Sequence, residues 1–284
     1  MDPLTWTTDP LPDLRAPILV AAFEGLFDVG RAATGAVEAL SEGAAVEVAH
    51  IDSDSFFDFT EQRPIARINH DGARVIHWPG SRVYCLPLPE RSRDLVLVEG
   101  VEPHLLWRTF SDTIATIAER LGAAMVVTLG AMIAEVPHTR PLGVTGSTAD
   151  PQLAEALRLD QPSYEGPTGV VGVIQERLAR DNMPAVSLRV RVPHYVSGSP
   201  NPKASRSLLE RFERVSGLPT RWSDLDEEAR DWEGRVTRAM ADDDDMIRYV
   251  GQLEERFDRQ AASSLPNADD LAAEFERFLR QHDD

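Results

Sequence analysis

Apolar positions along this chain follow two different periods. Ile18 to Phe23 is an unbroken apolar run opened by Pro17. It is too short for a helix and flanked by breakers, the pattern of a strand buried on both faces. Gly25 and Gly30 then relax the backbone, and Ala32, Ala33, Ala36, Val37 and Leu40 recur at helical spacing. With Gly35 these alanines give the helix a small face, able to lie very close to a sheet or to another copy of itself. A strand running straight into a packed helix is the opening half of a parallel crossover unit.

The same reading continues downstream. Residues 1 to 15 are expected to form an extended arm with Trp6 as an anchor, and Ala45 to Ile51 a second strand. Ile65 and Arg67, the Asp71-Gly72 pair, then Val75, Ile76 and Trp78 carry the signature of antiparallel strands joined by a two-residue turn. Arg82 to Leu86 follows as a strand, which makes the expected sheet mixed. Asp94 to Val98 reads as a buried strand ending at Glu99 and Gly100, and Leu105 to Leu121 as a helix. Ala124 to Leu129 is a strand ending at Gly130, and Val136 to Thr148 a loop. A glycine loop, Tyr164 to Gly169, leads into a helix to about Arg180. Ala185 to Val192 alternates between apolar residues and Ser187, Arg189 and Arg191, as expected near a sheet margin. Strands alternating with helices predict a three-layer α/β fold with a mostly parallel sheet.

Beyond Pro202 the pattern becomes helical throughout. Ala204 to Val215 is one helix, Ser223 to Phe257 a long second, and Leu271 to Leu279 a last. The expected organisation is a core over residues 1–215 and a helical extension over 216–284. Between Ser205 and Asp284 there are 21 acidic and 12 basic residues, half of the whole chain's net charge of −18. The large apolar residues of this tail must cover either the body or another chain.

Charge narrows the function classes. At −18 over 284 residues, nucleic acid and anionic membrane are excluded as partners, while proteins and small ligands remain. Lys203 is the only lysine, in a stretch that reads as surface loop, so a Schiff base has one poor candidate. The lone Cys85 excludes an internal disulfide and fits a reducing cytoplasm. No signal-peptide pattern or membrane-length apolar run is present.

Three motifs invite chemistry. The glycines at 25 and 30 begin a phosphate loop, but Arg31 and Ala32 stand where lysine and hydroxyl are needed, so a tight turn is the better reading. Two strand ends share a pattern, Val136-Pro137-His138-Thr139 and Val192-Pro193-His194-Tyr195. Side chains delivered outside the carboxyl ends of strands often line a pocket, so His138, Arg140, Thr145 and His194 are candidate ligand-binding residues. Glu99 and Glu102 are candidate bases, or carboxylates capping the next helix, and Glu99 is counted with the candidate ligand-binding residues. There is no nucleophile elbow, no H-E-x-x-H spacing, and no calcium loop around Asp242 to Asp245. No catalytic residue, metal site or cofactor is therefore assigned.

The landmarks AFEG with DVG, DLVLVEGVEPHLLWRTF, VVTLGAMIAEVPHTRP, YEGPTG and PAVSLRVRVPHY occur in an order that resembles the proteasome assembly chaperone family, in its actinobacterial form, over about residues 16 to 215. The resemblance implies a phosphorylase/hydrolase-like α/β/α fold, akin to purine nucleoside phosphorylases, and a homo-oligomer compatible with a trimer. It also implies a chaperone role, since archaeal and eukaryotic relatives hold proteasome α subunits during assembly. Relatives that dock on the proteasome can end in a hydrophobic residue, tyrosine and any residue, whereas this sequence ends Arg280-Gln281-His282-Asp283-Asp284, so docking by tail insertion is not expected. The leading expectation is a non-catalytic, homo-oligomeric cytoplasmic protein that binds other proteins, proteasome core α subunits among them. The alternative is an enzyme or sensor holding a nucleoside-like or phosphorylated ligand near His138, Arg140 and His194.

Overall fold

The apolar run at the start of the chain becomes a central strand. A computed structural model describes residues 3–41, 45–198 and 200–264. Its strands in chain order are β1 (Leu4–Trp6), β2 (Ile18–Glu24), β3 (Val46–Ile51), β4 (Ile65–Ile68), β5 (Arg74–His77), β6 (Ser81–Leu86), β7 (Leu95–Val101), β8 (Met125–Ala134), β9 (Val144–Ser147) and β10 (Ala185–Pro193). The helices are α1 (Ala32–Ser41), α2 (Trp107–Arg120), α3 (Pro151–Leu157), α4 (Val170–Arg180), α5 (Pro202–Ser216), α6 (Asp226–Ala239) and α7 (Asp244–Ser264).

Eight strands form one sheet in the order β1-β3-β6-β7-β2-β8-β10-β9. The pairs β7-β2, β2-β8 and β8-β10 are parallel, while β1, β6 and β9 run against their neighbours, so the sheet is mixed and mostly parallel as expected. Alternation along β2 sends Ile18, Val20 and Ala22 to one face and Leu19, Ala21 and Phe23 to the other. The first face is covered by the alanines of α1 and by Leu208, Leu209 and Phe212 of α5. The second is covered by Phe110, Ile114 and Ile117 of α2 and Ile174 and Leu178 of α4. Three layers result. The small face of α1 receives α5, and at Gly35 an added Cβ would come 3.0 Å from the Ser205 hydroxyl oxygen.

Several expectations need correction. β4 and β5 form a sheet of their own instead of joining the main one, and the loop between them has five residues. The Asn69 side chain closes that loop by accepting from the amides of Asp71 and Ala73. β7 runs on through Glu99 and Gly100 to Val101, because β6 keeps pairing with it and Gly100 lets Ser81 approach. β8 likewise continues past Gly130 to Ala134, held by β10. The supposed loop from Val136 to Thr148 contains β9, an edge strand whose Thr and Gly residues disguised it. The long tail helix is two helices. Asp243 accepts from the amides of Asp245 and Met246, capping α7 and breaking the helix while the apolar spacing carries on across the gap. The expected helix from Leu271 to Leu279 lies outside the described residues.

The arm is anchored. β1 pairs with β3, Arg120 stacks over the Trp6 ring at 4.6 Å, and the buried Asp94 carboxylate accepts from the Arg15 amide and guanidinium and from the Leu88 amide. Burial alone pushes the Asp94 carboxyl up, but these donors hold it below the usual carboxylate range. Cys85 is buried in the sheet, where desolvation pushes its thiol up to about 11. No helix among the described residues is long and apolar enough to cross a membrane.

Candidate functional site

The carboxyl ends of the parallel strands carry the glycine turn and the loops around it. Gly30 takes a left-handed φ of 67°, which a side chain would strain. Gly25 is needed for a close approach, since an added Cβ would sit 2.6 Å from a Glu102 carboxylate oxygen. The start of α1 is already filled by the buried Asp28, whose carboxylate accepts from the amides of Ala33 and Thr34 and from the Thr34 hydroxyl. Burial pushes its carboxyl above the ordinary value, against the pull of those donors. A protein carboxylate thus sits where a phosphate loop would hold its anion.

Glu102 braces this end of the molecule. One oxygen accepts from the Leu26 amide at 3.1 Å, the other from the Val170 amide at 3.2 Å, tying the β2 turn to the first turn of α4. Gly169, the residue before α4, offers no side-chain cap, so Glu102 supplies one from a distance. The braced loops display Leu26, Leu105, Leu106 and Tyr164, all exposed.

The two Pro-His strand ends come together, beneath α6 and α7. His138 is 2% exposed. Its backbone amide donates to the Tyr195 hydroxyl oxygen at 2.8 Å, its Nδ1 lies 2.9 Å from the same oxygen and its Nε2 3.0 Å from the Thr237 hydroxyl oxygen. The Thr237 hydroxyl donates to the Glu233 carbonyl. Nε2 therefore donates to the Thr237 oxygen, and the neutral form of the ring fits the site by accepting from Tyr195 at Nδ1. Electrostatics agree. Burial lowers the His138 pKa, and burial pushes the Tyr195 hydroxyl up to about 12. The His194 ring meets Tyr195 and Tyr249 edge-on at 5.4 and 5.7 Å.

Charged pairs lock the rim of this clasp. The Arg140 guanidinium donates twice to Asp258 at 2.9 Å and reaches Glu254, which also takes the Thr139 hydroxyl. Arg256 pairs with Glu135 at 2.8 Å. Lys203 is not on a surface loop as expected. It lies in the first turn of α5, capped by Asn201, and its ammonium donates to the His138 carbonyl and the Glu233 carboxylate.

The five candidate ligand residues thus fall in three places. His138, Arg140 and His194 hold the helical tail. Glu99 sits within β7, its carboxyl raised by burial and by Glu38. Thr145 lies on edge strand β9 and donates to the Arg189 carbonyl at 3.3 Å. Among the described residues no group of His, Cys, Asp and Glu is placed to hold a metal ion.

The PAC2 family model matches residues 22–240, more than three quarters of the chain. The chain belongs to the PAC2 family. A PAC2 family protein from Streptomyces avermitilis is similar at 42% identity and TM-score 0.76, covering 82% of this chain and 99% of its own. A proteasome-assembly chaperone homologue from Mycobacterium tuberculosis is similar at 40% identity and TM-score 0.74, with coverage of 82% and 99%. An archaeal proteasome activator from Pyrococcus furiosus, at 18% identity, TM-score 0.67 and coverage of 84% and 99%, shares the fold. Comparison with curated proteins finds no match.

The PAC2 match runs through α6, past the boundary at 215 expected between core and extension. Sequence reading found the two histidines of the clasp but missed Tyr195 as their shared partner, and missed Thr237, Tyr249 and Glu254. Their helical spacing announced only that the tail has an apolar side. The partners of His138 lie 57 and 99 residues away, a pairing that only the fold creates.

Proposed function

We propose that this PAC2-family chain is a protein-binding assembly factor, a homo-oligomer without catalytic chemistry of its own that engages proteasome core α subunits. The similarity to a chaperone homologue at 40% identity supports the class of partner. The observation that carries the protein-binding reading is the hairpin of β4 and β5. Every residue of both strands is exposed, including Ile65, Ile68, Val75 and Ile76, with Trp78 following at 55% exposure. A two-stranded hairpin is marginal in water on its own, and open apolar strands are a template for pairing. Arg67 and Arg74 make the hairpin cationic on a chain of net −18, which matches it to a second copy of this chain. The loops braced by Glu102 form a separate apolar face, suited to the α subunit.

Native mass spectrometry of the protein, alone and mixed with the host's proteasome α subunit, tests this. An oligomer that Ile68→Asp with Ile76→Asp converts to folded monomer, and a complex with α subunit that Leu26→Asp abolishes, are expected. A monomeric wild type overturns self-association, and no complex at any ratio overturns the partner.

A further inference from the structure

One concave region runs against the charge of the rest of the molecule. Between α5, α6 and residues 139–144 lies a cleft of about 750 Å³ lined by Arg140, Lys203, Arg206, Arg211, Arg214 and Arg230. Three carboxylates, Glu210, Asp226 and Glu233, share that lining. Six cations converge here on a protein of net charge −18.

Tracing the partners leaves two cations over. Lys203 meets Glu233, Arg206 meets Asp226 and Glu210, and Arg214 meets Glu210. Arg140 turns outward to Glu254 and Asp258. Arg211 and Arg230 have no carboxylate partner among the described residues. Arg230 donates from Nε to the Asp226 carbonyl at 3.0 Å, and Arg211 from Nη2 to the Arg158 carbonyl at 3.3 Å. Among the described residues the buried Arg211 Nε has no acceptor.

We propose that this cleft binds a small phosphate-bearing anion, with Arg211 and Arg230 as its principal donors. A guanidinium offers two parallel N–H groups to two oxygens, and a phosphate group has enough oxygens to serve two such forks at once. A carboxylate has only two oxygens and carries less charge, so it fills two forks less completely. Concave walls of low dielectric focus the surplus positive charge on an incoming anion. Pro141 and Val144 also line the cleft and offer apolar surface to the organic part of the ligand. The volume suits a small molecule and leaves no room for a folded domain. The assignment is independent of protein docking, which uses the hairpin and the loops braced by Glu102.

Isothermal titration calorimetry of the full chain, at fixed ionic strength, with inorganic phosphate, pyrophosphate, ribose 5-phosphate and a short glutamate peptide as probes, tests it. Saturable binding of at least one phosphate probe is expected, weakened about tenfold or more by Arg230→Gln or by Arg211→Lys. Arg238→Gln, an exposed α6 arginine outside the cleft, should leave the affinity unchanged. Among the described residues Arg230 is held by one carbonyl, so its variant keeps the test open if Arg211→Lys fails to fold. No heat from any phosphate probe up to about 10 mM, a regime weaker than millimolar affinity, overturns the proposal. Binding that ignores both substitutions, or binding of the peptide alone, also overturns it.

Discussion

Two apolar appendages leave the same sheet and meet opposite fates. The helical pair α6-α7 buries Trp232, Val236, Val250 and Leu253 against the body, and its polar side chains find partners in His138, Tyr195, Arg140 and Lys203. The β4-β5 hairpin carries Ile65, Ile68, Val75, Ile76 and Trp78, and all five stay exposed. The helices carry an apolar stripe that faces a prepared surface. The hairpin has two strands and no third layer; the Trp78 ring meets Phe59 edge-on at 4.9 Å, while Ile65, Ile68, Val75 and Ile76 stay open to solvent. An appended apolar segment is thus no sign of a partner until its cover is accounted for. By that test the tail points inward and the hairpin outward.

The comparison breaks most visibly at the tryptophans. Trp232→Ala should destabilise the protein by about 3–5 kcal/mol, the usual cost of emptying a buried aromatic site, as read by urea denaturation. Trp78→Ala should cost about 1 kcal/mol, the size of its edge contact with Phe59. Equal losses from the two would end the contrast. Next in size is Tyr195→Phe, which takes the acceptor from the His138 amide and the donor from its Nδ1 together. A loss of about 1–3 kcal/mol per buried group left unpaired is expected, together with faster hydrogen exchange in α6 and α7.

A pH series sharpens the clasp further. Burial lowers the His138 pKa, with Lys203 adding to the effect and Glu233 and Glu254 opposing it. A base whose folded value is depressed takes up its proton more readily when unfolded. Its contribution is therefore intact above the unfolded value of about 6.5 and is lost as pH falls below it. The slope approaches about 1.4 kcal/mol per pH unit until the folded value is reached. Wild type minus His138→Gln, measured between pH 7 and 5.5 by chemical denaturation, isolates that slope. A flat difference would show that the folded ring titrates as it does in the unfolded chain, and an opposite slope that it is held charged; either ends this reading. Smallest of all, Ile68→Asp with Ile76→Asp should move monomer stability by only about 0.5 kcal/mol while removing self-association in sedimentation velocity.

Much of the core was legible in residues 17 to 40, because a continuous apolar strand and a small-faced helix leave few alternatives. The penultimate position of β10 was legible too, since Arg189 and Arg191 alternate with Val190 and Val192. Edge elements were harder. β9 pairs through only four residues on one side, and turn-forming Thr and Gly suit an edge strand as well as a loop. The break at Asp243 was hidden because an apolar stripe can continue across two helices. Of the candidate site, His138, Arg140 and His194 all lie beneath the helical tail, but their common surroundings were not readable. An open pocket and a covered clasp present the same residues at the same spacing, and only the docking of α6 and α7 distinguishes them.

Local chemistry therefore determined most of the elements, the mostly parallel mixed sheet and the acidic charge. Each of these follows from spacing of two or 3.6 residues, or from composition, and needs no distant partner. Tertiary structure alone decided that Asp28 fills its own helix start, that Glu102 braces two loops, and that His138 is buried between Tyr195 and Thr237. It also decided that the tail is covered while the hairpin is not. Those outcomes depend on residues far apart in the chain arriving at one place, where burial sets the cost of every unpaired polar group.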